Sequence, residues 1–148
     1  MATGSAGRGS GYVFPVRGPH GTRGAIGDFG APRDGGRTHE GFDVTAACGT
    51  PLVSAHGGSV LKRAYEGDLK GNYLLVHDRG TPRNFVYAHL LKWPLPRPGE
   101  RLRTGQRIGA VGKTGNARTT VCHLHFEIRI HGHPVDPEPA LRRWDRSS

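Results

Sequence analysis

The segment from Cys122 to Ile130 constrains the fold more than any other part of the chain. Its apolar residues occupy every second position, and His123, His125, Glu127 and Arg129 occupy the positions between them. This period of two predicts a β-strand with one buried face and one polar face. The two histidines then point the same way, roughly 7 Å apart along the strand. At that spacing two imidazoles can bind one metal ion, or one can bind it while the other acts as a base.

Two upstream segments offer partners for these histidines. His39 and Asp43 stand four residues apart, and His89 ends the alternating run that begins at Phe85. Together with the pair on the strand, they offer two imidazoles and one carboxylate as metal ligands, with two imidazoles to spare. Two histidines and a carboxylate leave one tetrahedral position of zinc open for water, which is typical of catalytic rather than structural zinc sites.

Short alternating runs separated by turns account for most of the remaining chain. Hydrophobic residues make up 34% of the sequence, and the 24 glycines and 11 prolines interrupt the runs. This pattern predicts an all-β fold, with a largely antiparallel sheet in a sandwich or barrel-like arrangement. A long loop over 17–38 leads to His39, and we expect it to form one wall of a substrate groove. Strands are predicted at 12–16 (an edge strand limited by its proline), 52–55, 59–65, 72–77, 85–89 and 106–112, with a final helical turn at 139–144.

Length and charge restrict the possible domain organisation and partners. The 148 residues predict a flexible N-terminal lead at 1–11 and a single domain at 12–148. No window approaches the roughly 18 apolar residues of a membrane span. The net charge of +9 is typical either of a soluble arginine-rich surface or of a protein attracted to a polyanion, whether nucleic acid or an acidic cell wall. No basic cluster is dense enough to favour nucleic acid.

A series of short motifs then identifies a family, because their order is more specific than any one of them. In this order they closely resemble the lysostaphin-like (LytM-type) zinc endopeptidases of peptidoglycan, over nearly the whole chain from Tyr12 to Pro137. The resemblance implies a largely antiparallel β-sheet with a groove bounded by loops. The motifs are Arg37-x-His39-x-Gly41-x-Asp43, Gly49-Thr50-Pro51, Gly71-Asn72-Tyr73, Tyr87-Ala88-His89-Leu90, His123-Leu124-His125-Phe126-Glu127 and Pro134-Val135-Asp136-Pro137.

The same resemblance implies roles for individual residues. His39, Asp43 and His125 are expected to bind one zinc ion per chain, and His89 and His123 to form the catalytic pair. The implied activity is hydrolysis of peptide bonds in the stem peptides or cross-bridges of bacterial peptidoglycan. The partner is then peptidoglycan, with no nucleic acid, and we expect a monomer.

Two other function classes remain as alternatives. A non-catalytic LytM-like module would bind the wall or regulate another hydrolase, but such modules typically lack one or more ligands, and none is lacking here. A polyanion-binding β-module would use the charge of +9 and no metal, and its binding would depend strongly on salt.

The expected site of action is the cell wall or periplasm, or the outside of the cell after secretion. The N-terminal residues are rich in glycine, serine and alanine and lack the apolar core of a signal peptide. We therefore expect either an excerpt from a longer secreted chain, or export by another route such as a phage or an injection device.

The sequence departs from the family pattern at two places. Arg33 stands about where members nearest lysostaphin carry a tyrosine that stabilises the transition state, and the nearest upstream tyrosine is Tyr12. Oxyanion stabilisation is then expected to come from zinc and a protonated histidine.

The segment 116–122 is longer than the usual one and lacks its Gly-Pro end, so we expect it to reshape the groove. Glu40 is not expected to be the general base, because a zincin motif would require histidine at the position of Asp43.

Several further residues are expected to support the site. Arg37 is a candidate partner for Asp43 or for a substrate carboxylate, and Glu127 for orienting His125. The two cysteines, Cys48 and Cys122, predict either a disulfide or two free buried thiols; a thiolate ligand is discounted because zinc already has its protein ligands. The other histidines are expected in turns, loops or structural hydrogen bonds, namely His20, His56, His77, His131 and His133.

Overall fold

The computed structural model describes residues 11–147, and the predicted N-terminal lead, apart from Gly11, lies outside them. Extended segments separated by turns dominate this part of the chain, as the alternating runs predict. In chain order the strands are β1 (Gly21–Thr22), β2 (Phe42–Thr45), β3 (Pro51–Val53), β4 (Gly58–Glu66), β5 (Gly71–Asp78), β6 (Arg83–Leu90), β7 (Arg101–Leu102), β8 (Arg107–Ala110), β9 (His123–Ile130) and β10 (His133–Val135).

Eight of these strands form the main sheet. Their spatial order is β1-β2-β9-β6-β5-β4-β7, and β10 pairs with β9 beside β2. Strands β3 and β8 form a second, two-stranded sheet, and the strand pairs in both sheets are antiparallel. The predicted antiparallel fold is confirmed. Because the main sheet has free edges at β1 and β7, the arrangement is sandwich-like and not a closed barrel.

The core lies between one face of the main sheet and a second layer formed by β3, β8 and a C-terminal helix, α1 (Glu138–Ser147). Trp144 of α1 is 2% exposed, and its ring centre lies 5.8 Å from that of Phe85 and 6.0 Å from that of Phe126. The helix is longer than the single turn predicted at 139–144. Leu141 and Trp144 lie three residues apart and are both buried, and this helical spacing is what the strand-based prediction undervalued.

The predicted edge strand at 12–16 is wrong. This segment is extended and lies beside β3, where the N–H of Val53 donates to the carbonyl oxygen of Pro15 at 2.9 Å. Within the described residues, however, it forms only an isolated bridge, between Val16 and Leu52. The reason is that Pro15 has no N–H with which to continue a ladder. The long loop at 17–38 is also more ordered than predicted, because it contains β1 and 3₁₀ turns at Gly24–Gly27 and Asp34–Gly36.

Cys48 and Cys122 are joined in a disulfide, which is the first of the two predicted alternatives. The bond connects the turn after β2 to the residue that precedes β9, across a sequence separation of 74. Both strands carry residues of the candidate site, so the cross-link lies at one end of the pair that builds it.

Replacement of Trp144 by alanine is expected to lower the free energy of unfolding by about 3–5 kcal/mol, because it removes a large side chain from the core. Trp93→Ala is the matched control: this tryptophan is 50% exposed, and its loss should cost less than about 1 kcal/mol. Urea denaturation followed by circular dichroism measures both values. Equal losses in the two variants would show that α1 does not pack on the sheet as described.

Candidate metal centre

The three residues expected to bind zinc lie together where β2 pairs with β9. Asp43 is directly opposite His125 in the antiparallel register, and His39 reaches the same place from the segment before β2. Their side chains are buried, and the possible ligand atoms lie within 4.8 Å of one another. Gly41 permits this close approach, because a Cβ there would lie only 2.8 Å from Cε1 of His125 and 2.5 Å from the carbonyl oxygen of Phe126.

The donor atoms of this cluster face a common point. Nε2 of His39 lies 2.9 Å from Nδ1 of His125, and each of these nitrogens lies 3.1 Å from Oδ1 of Asp43. The other ring nitrogens donate elsewhere: Nδ1 of His39 to the carbonyl oxygen of Asp28 at 3.0 Å, and Nε2 of His125 to Glu127 at 2.7 Å. Two imidazole nitrogens and one carboxylate oxygen therefore converge, and this donor set suits zinc.

Opposite charges control protonation within the cluster. Burial alone would lower the pKa of His125, but hydrogen bonds with Asp43 and Glu127 and the charges of both carboxylates raise it to about 9. Burial would likewise raise the pKa of Glu127, whereas His125 and Arg129 lower it to about 2. Hydrogen bonds from His125 and His39 outweigh burial at Asp43 and hold its pKa far below the usual range. A metal cation that binds here would displace the proton on His125.

A series of hydrogen-bonded charged residues extends from Nε2 of His125. Glu127 accepts a hydrogen bond from His125 and another from Nε of Arg129, each at 2.7 Å. Nη2 of Arg129 donates in turn to Glu40 at 2.7 Å. Glu127 thus makes the contact predicted for a residue that orients His125. Glu40 lies at the far end of this series of contacts, paired with Arg129.

The second carboxylate oxygen of Asp43 is bound by an arginine that the sequence analysis did not single out. Nη1 of Arg23 donates to Oδ2 of Asp43 at 3.0 Å. Arg37, the predicted partner, is exposed and forms no ion pair with Asp43 in the part of the chain that the structure describes. Arg23 follows β1 within the loop expected to wall the groove, and no motif marks it, which is why sequence reasoning missed it.

His89 and His123 lie beside the cluster, and their ring centres are 5.0 Å apart. Nδ1 of His89 donates to the carbonyl oxygen of Thr114 at 2.7 Å, and Nδ1 of His123 donates to that of Val121 at 2.9 Å. Each ring therefore keeps Nε2 as an acceptor. Burial lowers the pKa of both imidazoles, and the nearby charges of His125 and His123 help to bring that of His89 to about 3.

The backbone of His89 has an unusual conformation. Its φ of 63° lies in the left-handed region, which residues other than glycine rarely adopt. The N–H of His89 donates to the carbonyl oxygen of Lys70 at 2.8 Å, and its ring is held by Thr114. Gly71 allows the segment of Thr114 to come this close, since a Cβ at Gly71 would lie 2.3 Å from Oγ1 of Thr114.

The hydrogen bonds of Arg33 and Tyr12, and of three of the remaining histidines, go to residues outside the metal cluster. Arg33, which stands where a tyrosine is expected, donates from Nη2 to the carbonyl oxygen of Ile26 at 2.8 Å. The hydroxyl of Tyr12 donates to Asp78 at 2.7 Å, on the opposite face of the sheet from the cluster. Three of the other histidines, His20, His56 and His77, have structural hydrogen bonds. His131 and His133 are near the turn between β9 and β10.

Comparison with known proteins agrees with the geometry. The profile described as peptidase family M23 matches residues 37–137. The chain belongs to peptidase family M23. Peptidoglycan DD-endopeptidase ShyC of Vibrio cholerae is 38% identical over 101 residues, which are 68% of this chain and 22% of that protein. The M23 chain thus spans about a fifth of the length of this relative.

Solved structures show the same fold. The crystal structure of a zinc-containing peptidase from Vibrio cholerae is 30% identical with a TM-score of 0.69, covering 84% of this M23 chain and 38% of that chain. The catalytic domain of the antimicrobial peptidase lysostaphin from Staphylococcus simulans is 26% identical with a TM-score of 0.70. The match covers 84% of this chain and 92% of the lysostaphin domain. The predicted resemblance to lysostaphin-like peptidases is confirmed.

Replacing Glu127 by glutamine in this M23 chain is expected to lower the affinity for Zn²⁺ by about 10–100-fold, because the amide no longer provides the charge that orients and polarises His125. Glu66→Gln, at the end of β4 and away from the cluster, should leave the affinity unchanged. Competition with a chromogenic chelator measures both constants. An unchanged affinity in Glu127→Gln would contradict the orienting role.

Proposed function

We propose that this chain is a zinc-dependent endopeptidase that hydrolyses peptide bonds in bacterial peptidoglycan, within stem peptides or cross-bridges. The observation that carries the proposal is the convergence of His39, Asp43 and His125 on one point, with the acceptor nitrogens of His89 and His123 beside it. Membership of family M23 and the similarity to a peptidoglycan DD-endopeptidase support this substrate class.

In this proposal His39, Asp43 and His125 hold one zinc ion per chain. Zinc held by three protein ligands supplies a Lewis acid with a fourth position for water and brings the pKa of that water to about 7. The hydrogen bonds of His39 to Asp28 and of His125 to Glu127 keep both rings turned so that the ligand nitrogens face inward.

In this proposal His89 and His123 carry out proton transfer during hydrolysis. His89 and His123 each use Nδ1 as a donor to a backbone carbonyl, which leaves Nε2 as the atom that can accept a proton from the attacking water. Nε2 of His123 lies 3.6 Å from Oδ2 of Asp43. An imidazole protonated in this way can then hydrogen-bond the developing oxyanion or deliver the proton to the leaving amine. Because the hydroxyl of Tyr12 is engaged with Asp78, this tyrosine does not take the place of the family tyrosine.

The rival proposal is a non-catalytic module of the same fold. A module that only binds the wall has no need of a complete donor set, nor of two further imidazoles held by backbone carbonyls. The strained backbone of His89 also favours catalysis, because strain of about 1–3 kcal/mol persists where function requires the conformation.

The proposal also covers the setting in which the protein acts. Peptidoglycan lies outside the cytoplasm, and the disulfide between Cys48 and Cys122 suits an oxidising environment. None of the helices in residues 11–147 has the length and apolar character to cross a membrane.

We propose that residues 12–148 form the peptidase domain. Since one chain brings together all the residues of the proposed site, we expect it to act as a monomer.

The test combines metal analysis with wall hydrolysis. The purified chain is expected to contain one zinc per chain and to reduce the turbidity of at least one purified peptidoglycan, and a chelator should abolish this loss. Mass spectrometry of the released fragments would identify the scissile bond. A zinc-loaded chain that hydrolyses none of a broad panel of walls would support the non-catalytic module instead.

Alanine substitutions separate the two sets of histidines. His125→Ala is expected to lose zinc, whereas His89→Ala and His123→Ala are expected to retain it and to lose about 100-fold or more of the hydrolytic rate, since they remove proton transfer. His133→Ala, an exposed histidine in β10, is the matched control. Full activity of His123→Ala at normal zinc content would rule out the assigned pair.

A further inference from the structure

An open groove of about 1060 Å³ is lined by Arg23, which contacts Asp43 of the metal cluster. It runs between the segment that carries Arg23 and the loop that carries Lys113, and the disulfide of Cys48 and Cys122 lies in its wall. None of the residues that line this groove in the described part of the chain is acidic. Two basic side chains, Arg23 and Lys113, therefore line the groove, and Arg23 is already paired with Asp43.

Arg23 is anchored at the inner end of the groove. A guanidinium has five N–H donors, and at 3.0 Å Asp43 accepts one hydrogen bond from Nη1. Arg23 has no second partner among residues 11–147, although its side chain is only 17% exposed. This bond engages one N–H, which leaves the remaining donors of the guanidinium for a planar anion, and carboxylates bind arginine in this way.

Lys113 provides the second charge of the groove. It is exposed, and the described residues offer it no ion-pair partner. It directly precedes Thr114, whose carbonyl oxygen holds the ring of His89. Lys113 is thus the backbone neighbour of the residue that supports His89, and it lines the same groove as Arg23.

We infer that this groove binds a free carboxylate of the substrate, on the residue next to the scissile bond. Arg23 contacts a proposed zinc ligand, so an anion bound to its free donors lies close to the reacting peptide bond. Lys113 attracts the same group as a point charge. This inference rests on the proposed endopeptidase function and makes it more specific: the chain selects stem peptides with a free carboxylate over their carboxamides.

The test uses two cross-linked muropeptide dimers that differ only in whether the carboxylate next to the cross-link is free or is a carboxamide. The zinc-loaded chain is expected to cleave the acid with a kcat/KM about tenfold or more above that of the amide, since a hydrogen bond to a charged group is lost with the amide. Lys113→Gln should reduce this preference several-fold, and Lys113→Glu should abolish or reverse it.

Two further variants complete the comparison. Arg23→Gln should also reduce the preference for the acid, and its zinc content is measured alongside because Arg23 touches Asp43. Arg103→Gln, an exposed arginine after β7, is the matched control and should leave the preference unchanged. Equal kcat/KM values for acid and amide in the unaltered chain would overturn the inference while leaving the endopeptidase function intact.

A binding measurement without turnover distinguishes failure of the groove inference from failure of the proposed endopeptidase function. Calorimetry compares stem tetrapeptides, blocked at both ends, that carry either the free carboxylate or the carboxamide. Tighter binding of the acid by the zinc-loaded chain, weakened in Lys113→Gln, supports the groove inference even if neither dimer is cleaved and the proposed function fails. Equal affinities for the two tetrapeptides overturn it.

Discussion

The antiparallel pairing of β2 with β9 is the constraint on which the rest of the site depends. It places Asp43 opposite His125 and Thr45 opposite His123, so the polar faces of both strands meet on one side of the sheet. A shift of the register by one residue would turn these side chains toward the core and bring Leu124 into the groove. The neighbouring disulfide and Gly41 hold the same two strands at close distance.

That pairing gathers charged groups in a buried place, where each needs a partner of opposite sign. Glu127 and Asp43 compensate His125 from two sides, while Arg129 and Arg23 compensate the two carboxylates from the rim. An unpaired buried charge would cost several kcal/mol, of order 3–5 when one partner is removed. The contacts that orient the proposed metal ligands therefore also balance the charge of the cluster.

The period of two predicted the sheet, and the spacing of the histidines with Asp43 marked the candidate residues, but the choice of His39, Asp43 and His125 as a set came from the family resemblance. Prediction failed where long-range contacts decide the structure. No local pattern marks Arg23 as the partner of Asp43 or Thr114 as the support of His89, because each contact joins distant segments. Likewise, the segment at 12–16 alternates like a strand, but Pro15 prevents a ladder. The final turn extends into a helix whose buried residues, Leu141 and Trp144, pack against the core.

The left-handed backbone of His89 sets the need for an easy backbone conformation against the need for a side chain at the same position. Glycine would adopt the same φ of 63° without a steric penalty. It would also remove the imidazole that Thr114 holds beside the cluster. Glycine at this position would therefore relieve the backbone strain, yet it would also remove one of the two imidazoles proposed to transfer protons.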